Sequence, residues 1–209
     1  GTDCLPDFPA FPVFTIPPDA ADVVCPTSGT IEILPGTYKD LKISPYCTVK
    51  FKGDPDPLVE KGIYNFRRII ANNASKYKLQ FVDPHIQINV KEFVRLAEYG
   101  NVNAEATEDI TLYVDGLDDS YGGLNKNKNG VVRPVIGAKP AAFEYDGDGE
   151  FNLCFAFVRN GTINVRGKSH GPTPPPEYWA TQWFGNSFQE VSTLAITLGS
   201  IGEVFGEPC

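Results

Sequence analysis

Thr30-Ile31-Glu32-Ile33-Leu34, then Pro35-Gly36, then Tyr38 to Ile43, then Cys47-Thr48-Val49-Lys50-Phe51: apolar and polar residues alternate, stop at a turn and alternate again. Side chains of an extended chain point to opposite faces with a period of two, so this texture predicts short, half-buried strands. Pro35-Gly36 and Gly53-Asp54-Pro55-Asp56-Pro57 supply turn chemistry between them. The same reading extends to Gly62 to Ala71, Tyr77 to Val82, His85 to Val90, Asp109 to Val114, Val131 to Gly137, Ala141 to Tyr145, Phe151 to Val158, Gly161 to Arg166 and Thr193 to Leu198. Almost every gap between these holds Gly, Pro, Asn or Asp, which predicts an all-β chain.

One stretch competes. Asn89 followed by Glu92 has the form of a helix capping box, and Val90, Phe93, Val94 and Ala97 fall at helical spacing up to Gly100. The same residues continue the alternation of Ile86, Ile88 and Val90, and strands on both sides favour the strand reading. An alternating motif also recurs, at uneven intervals, as Thr30-Ile31-Glu32-Ile33, Thr48-Val49-Lys50-Phe51, Lys78-Leu79-Gln80-Phe81, Ile110-Thr111-Leu112-Tyr113, Thr162-Ile163-Asn164-Val165 and Leu194-Ala195-Ile196-Thr197. Asn72-Asn73 and Gly100-Asn101-Val102-Asn103 offer bend-forming residues for corners, so the repeat predicts a β-solenoid with insertions. A β-sandwich or jelly roll is the alternative.

Upstream of the strands, Pro6, Phe8, Pro9, Phe11, Pro12, Phe14, Ile16, Pro17 and Pro18 form an extended arm. Proline fixes the backbone and removes ladder donors, so residues 1–28 are read as the arm and 29–209 as one β-rich domain. Phe8, Phe11, Phe14 and Ile16 are too apolar for a solvated tail. They are expected to lie on the arm's own domain or on a neighbouring copy.

With 18 Lys and Arg against 26 Asp and Glu, the chain of 209 residues carries a net charge of -8. It has no basic patch of the kind nucleic acid requires, and no apolar run long enough for a membrane span. It opens on Gly1-Thr2-Asp3 and contains no Met, which is read as removal of an N-terminal segment and, with five Cys, as secretion. Cys4, Cys25, Cys47, Cys154 and Cys209 are too far apart for zinc, redox or haem motifs. Cys4, Cys25, Cys47 and Cys209 are the disulfide candidates, with their pairing open. Cys154, inside the apolar run Phe151 to Val158, is the candidate free thiol.

Pro35-Gly36-Thr37-Tyr38, with Leu41-Lys42-Ile43, Cys47 to Gly53 and Gly62-Ile63-Tyr64, resembles the opening coils of secreted right-handed β-helix proteins. Ile110 to Gly116 and Gly161 to Gly167 resemble further coils of β-helical domains in prokaryotic pilus-associated and cell-surface proteins. The resemblance implies a structural or adhesive role and carries over no catalytic residue.

Candidate chemistry is sparse. Asp146, Asp148 and Glu150 alternate and could hold Ca²⁺, but a turn between strands accounts for the same residues, so no cofactor is expected. His85 and His170 lack any nucleophile motif beside them, and no catalytic residue is assigned. Tyr178, Trp179, Trp183 and Phe184 follow a proline loop and form a candidate aromatic binding surface for sugars or protein. Asn73 and Asn160 open glycosylation sequons. Together these features predict a secreted structural subunit of an extracellular filament or surface appendage, not an enzyme, whose partners are copies of itself. Glycans are the partner under the alternative, a carbohydrate-binding or polysaccharide-cleaving β-helix.

Overall fold

The computed structural model describes residues 10–54, 61–71, 76–83, 85–97, 100–103, 109–116, 141–146, 151–152, 155–159, 162–166, 182–185 and 188–190. Among them every regular element is a strand: β1 (Val23–Cys25), β2 (Thr30–Ile33), β3 (Gly36–Ile43), β4 (Thr48–Phe51), β5 (Gly62–Ala71), β6 (Lys78–Phe81), β7 (His85–Ala97), β8 (Asn101–Asn103), β9 (Asp109–Val114), β10 (Ala141–Asp146), β11 (Phe151–Asn152), β12 (Phe155–Val158), β13 (Thr162–Arg166), β14 (Gln182–Gly185) and β15 (Phe188–Glu190). The chain is therefore all-β, and all pairings between these strands are parallel. An antiparallel sandwich or jelly roll does not fit such pairings.

Parallel neighbours need a long connection, and here the connection is itself a strand of another sheet. One sheet runs β2-β4-β6-β8-β11, and the chain alternates between it and a second, larger sheet containing β1, β3, β5 and β7. The motif stretches from Thr30, Thr48 and Lys78 stack in register as β2, β4 and β6, pairing Thr30 with Thr48 and Thr48 with Lys78. Within the larger sheet, β7 divides its length: His85 to Val90 pairs with β9, whereas Val94 to Ala97 pairs with β10. The two halves continue separately as β12 then β14, and as β13 then β15.

The division has a visible cause in the sequence. Lys39-Asp40, Arg67-Arg68 and Lys91-Glu92 are adjacent charged residues inside otherwise alternating strands, and two polar residues in succession reverse which positions face inward. Before the doublets Tyr64, Phe66, Ile88 and Val90 are buried; after them Leu41, Ile69, Ala71, Val94 and Leu96 are. A register shift between Phe66 and Arg68 marks the bend on β5 and β7.

Inward side chains form columns along the stack, such as Phe66, Val90, Val114 and Val158, and Tyr64, Ile88, Leu112 and Ala156. Phe51 joins the sheets, edge-on to Tyr64 at 5.1 Å and stacked on Phe81 at 5.5 Å. The Tyr64 hydroxyl donates to the Ile33 carbonyl at 2.9 Å, and burial pushes its pKa up. On the outward side an amide ladder crosses three strands: Asn89 donates to Asn65 at 2.8 Å, and Asn65 to Thr37 at 3.1 Å. That ladder places Asn89 in a sheet and not at a helix cap, so the strand reading of the contested stretch holds through Ala97.

Three corners repeat. Ser28, Tyr46 and Lys76 have φ of 57°, 60° and 57°, and each stands at the same offset before β2, β4 or β6. This left-handed conformation turns the chain into the smaller sheet. Two expectations need correction. Asn101-Val102-Asn103, read as a corner, is β8, because Val102 is buried against the column of Leu79. The preceding Gly100 accommodates the Tyr77 ring, whose Cζ would stand 1.9 Å from any Cβ there. The sheet also begins before residue 29: Val23–Cys25, inside the stretch assigned to the arm, pairs with Leu41 to Ile43 as an edge strand, lying between Pro18 and Pro26 where no proline interrupts the ladder.

Candidate functional site

The charged doublets meet across strands at the bend. Arg67 donates from Nε and Nη2 to the two oxygens of Asp40 at 2.8 and 2.7 Å, a bidentate fork. Its neighbour Arg68 reaches the other way along the stack, to Glu92, and also lies 5.3 Å from the Phe93 ring centre. Lys91 then pairs with Asp115, which also accepts from Arg159. At the other end Lys42 pairs with Asp22 at 2.5 Å. A charge ladder thus follows the bend from β1 toward β12, with Asp40 and Asp115 buried within it. The hydrogen bond from Lys42 holds the Asp22 carboxyl below its usual range, and Asp40 raises the pKa of the Arg67 guanidinium.

The arm crosses this ladder. Phe11 meets Tyr113 and Phe157 edge-on at 5.7 and 5.6 Å, and the Arg159 guanidinium lies 4.5 Å from its ring centre. Phe14 sits 5.8 Å from the Lys91 ammonium. A turn in which Ala20 N–H donates to the Pro17 carbonyl at 3.1 Å then leads into β1. Phe11, Phe14 and Ile16 are half-buried in the single chain, whereas Val13, between them, is 99% exposed. Beneath the arm remains a cavity of about 380 Å³ bounded by residues 14–18, Lys39, Arg67, Lys91 and Glu92.

Of the sequence candidates, Cys25 and Cys47 are joined, with Cα atoms 6.1 Å apart. The bond runs from the end of β1 to the corner before β4, linking the two sheets. Cys4, Cys154, Cys209, Phe8, Asn73, Asn160, Tyr178, Trp179, Asp148 and Glu150 lie outside the described residues. Trp183 and Phe184 belong to β14, paired with Ala156 and Phe157, so two of the four proposed binding aromatics are sheet residues. Asp146 ends β10, paired with Ala97 and Arg166. Among the described residues no three potential metal ligands gather, and no helix is long and apolar enough to cross a membrane.

The ladder as such was not read from the sequence: Glu92 was singled out there only as part of a candidate helix cap. The signal that marks its residues is the break in period two at 39–40, 67–68 and 91–92, which reads as lost strand regularity unless the strands are already stacked. Comparison with protein-family models, curated proteins and solved structures finds no match to this chain.

Proposed function

We propose that the chain is a right-handed parallel β-solenoid that serves outside the cell as a structural subunit, adding to copies of itself through its strand edges and N-terminal arm. The observation that carries this reading is the β2 edge. Thr48 N–H bonds the Gly29 carbonyl at 2.9 Å and Lys52 N–H bonds the Ile33 carbonyl at 3.1 Å, so residues 29, 31 and 33 face β4. By alternation the N–H and C=O groups of Thr30 and Glu32 point away from the sheet, along the stacking axis. Such an edge is a template for another strand, and a contact between unlike ends generates a fibre. The arm supports the same reading: it is an extended segment joined to β1 through a single hydrogen-bonded turn, and an arm that lies on its own ladder can occupy a neighbour's equivalent ladder instead. The Cys25–Cys47 bond is in keeping with an oxidising, extracellular setting.

Electron microscopy and light scattering of the full chain test this. Fibres or concentration-dependent oligomers are expected. Glu32→Pro removes an outward donor without touching the backbone bonds to β4, losing only the exposed side-chain pairs with Lys50 and Lys52, and should abolish assembly while circular dichroism stays unchanged. Deletion of residues 1–20 should likewise leave a folded monomer. A parent chain that stays monomeric at every concentration sinks the reading.

A further inference from the structure

The cavity under the arm is unusual for so acidic a protein. Its walls carry three cations, Lys39, Arg67 and Lys91, against one carboxylate, Glu92, and that carboxylate is engaged by Arg68. Arg67 is fixed as a plane by its fork to Asp40, which uses Nε and Nη2 and leaves Nη1 outside the pair. Lys91 shares Asp115 with Arg159, and Lys39, whose charge acts on Asp22, makes no close ion pair among the described residues. The arm contributes Phe14 and Pro17 to the lining, apolar surfaces suited to the flat side of a ring, with the Phe14 ring centre 5.8 Å from the Lys91 ammonium. The volume of about 380 Å³ is within the span usual for small-ligand sites, which pair apolar walls with a few convergent polar groups.

We infer that this cavity binds a ring carrying one carboxylate, its face on Phe14 and Pro17 and its charge directed to Lys39 and Lys91. Sugar acids and aromatic acids share that chemistry, so the test uses galacturonate and benzoate, with galactose and benzamide as their uncharged counterparts.

Calorimetric titration into the full chain should give saturable binding of at least one acid, at least tenfold tighter than its neutral counterpart. Which acid binds identifies the source of the ring. The Lys39→Gln, Lys91→Gln double variant should weaken binding at least tenfold with unchanged circular dichroism, since Asp115 retains Arg159. Lys39→Gln alone, which breaks no ion pair, should weaken it about threefold and serves if the double variant misfolds. Neutral rings binding as well as the acids overturn the proposal, as does inorganic phosphate binding as tightly, which would mean that charge alone is read. Absence of saturation by either acid up to about 10 mM overturns it too.

Discussion

Two charge ladders cross neighbouring strands of this protein and behave as opposites. On the smaller sheet Glu32 faces Lys50 at 3.8 Å and Lys52 at 2.6 Å, and its side chain is 48% exposed. At the bend of the larger sheet Asp40 meets Arg67 at 2.7 Å with 6% of its side chain exposed. Both are opposite charges brought together by parallel register. Only in the second has the carboxylate been taken out of water, so only there is the loss of one partner costly. The lesson is that stacking supplies proximity, while depth decides what the proximity is worth.

The sharpest way to break this contrast is Asp40→Ala, which strands a half-buried guanidinium. A loss of about 3 kcal/mol in urea unfolding is expected, and restoring part of it with a second change, Arg67→Ala, would assign the loss to the pair. Phe11→Ala removes the edge-on contacts to Tyr113 and Phe157 and the Arg159 contact. It should cost about 1–2 kcal/mol, read in the same assay. Raising salt to about 1 M should move the titration of Glu32 toward that of a free carboxyl while leaving the Asp40→Ala penalty nearly intact. Smallest of all, Glu32→Gln should leave the unfolding midpoint unchanged within error.

Acid offers a graded version of the same comparison. The hydrogen bonds from Lys42 to Asp22 and from Lys52 to Glu32 lower both carboxyl pKa values. The folded state therefore binds these protons less tightly than the unfolded chain. Whatever stability they supply is present above the ordinary carboxylate range and is lost as pH falls through the lowered values. Carboxyl resonances followed by NMR should show both titrating low, and Lys52→Gln should return Glu32 upward while Asp22 stays put.

Much of the strand content was legible because period two survives any arrangement of sheets: Gly62 to Ala71 and Asp109 to Val114 were bounded as observed. The repeat at Thr30, Thr48 and Lys78 was legible too, since side chains that stack in register are under similar demands. The bend was not. A doublet such as Arg67-Arg68 has no local meaning; its sense comes from Asp40 and Glu92 on neighbouring strands. Nor were the corners, because the left-handed positions hold Ser28, Tyr46 and Lys76, none of them the glycine or asparagine that ordinarily signals one. The arm's destination escaped for a different reason. Phe11 and Phe14 announce burial, but nothing in a proline-rich segment says on which surface.

Those corners also tell an engineer where chain can be added. The segment joining β4 to β5, residues 52–61, is far longer than Leu34-Pro35, which joins β2 to β3, yet Gly36 still pairs with Tyr64 and Thr48 with Lys78. Entry to the smaller sheet is set afresh at each left-handed residue, so extra length upstream does not accumulate as register error. Grafted peptides or display epitopes belong between Asp54 and Lys61; the stretches 26–29 and 44–47, where the conformation and the disulfide fix the path, are the places to leave alone.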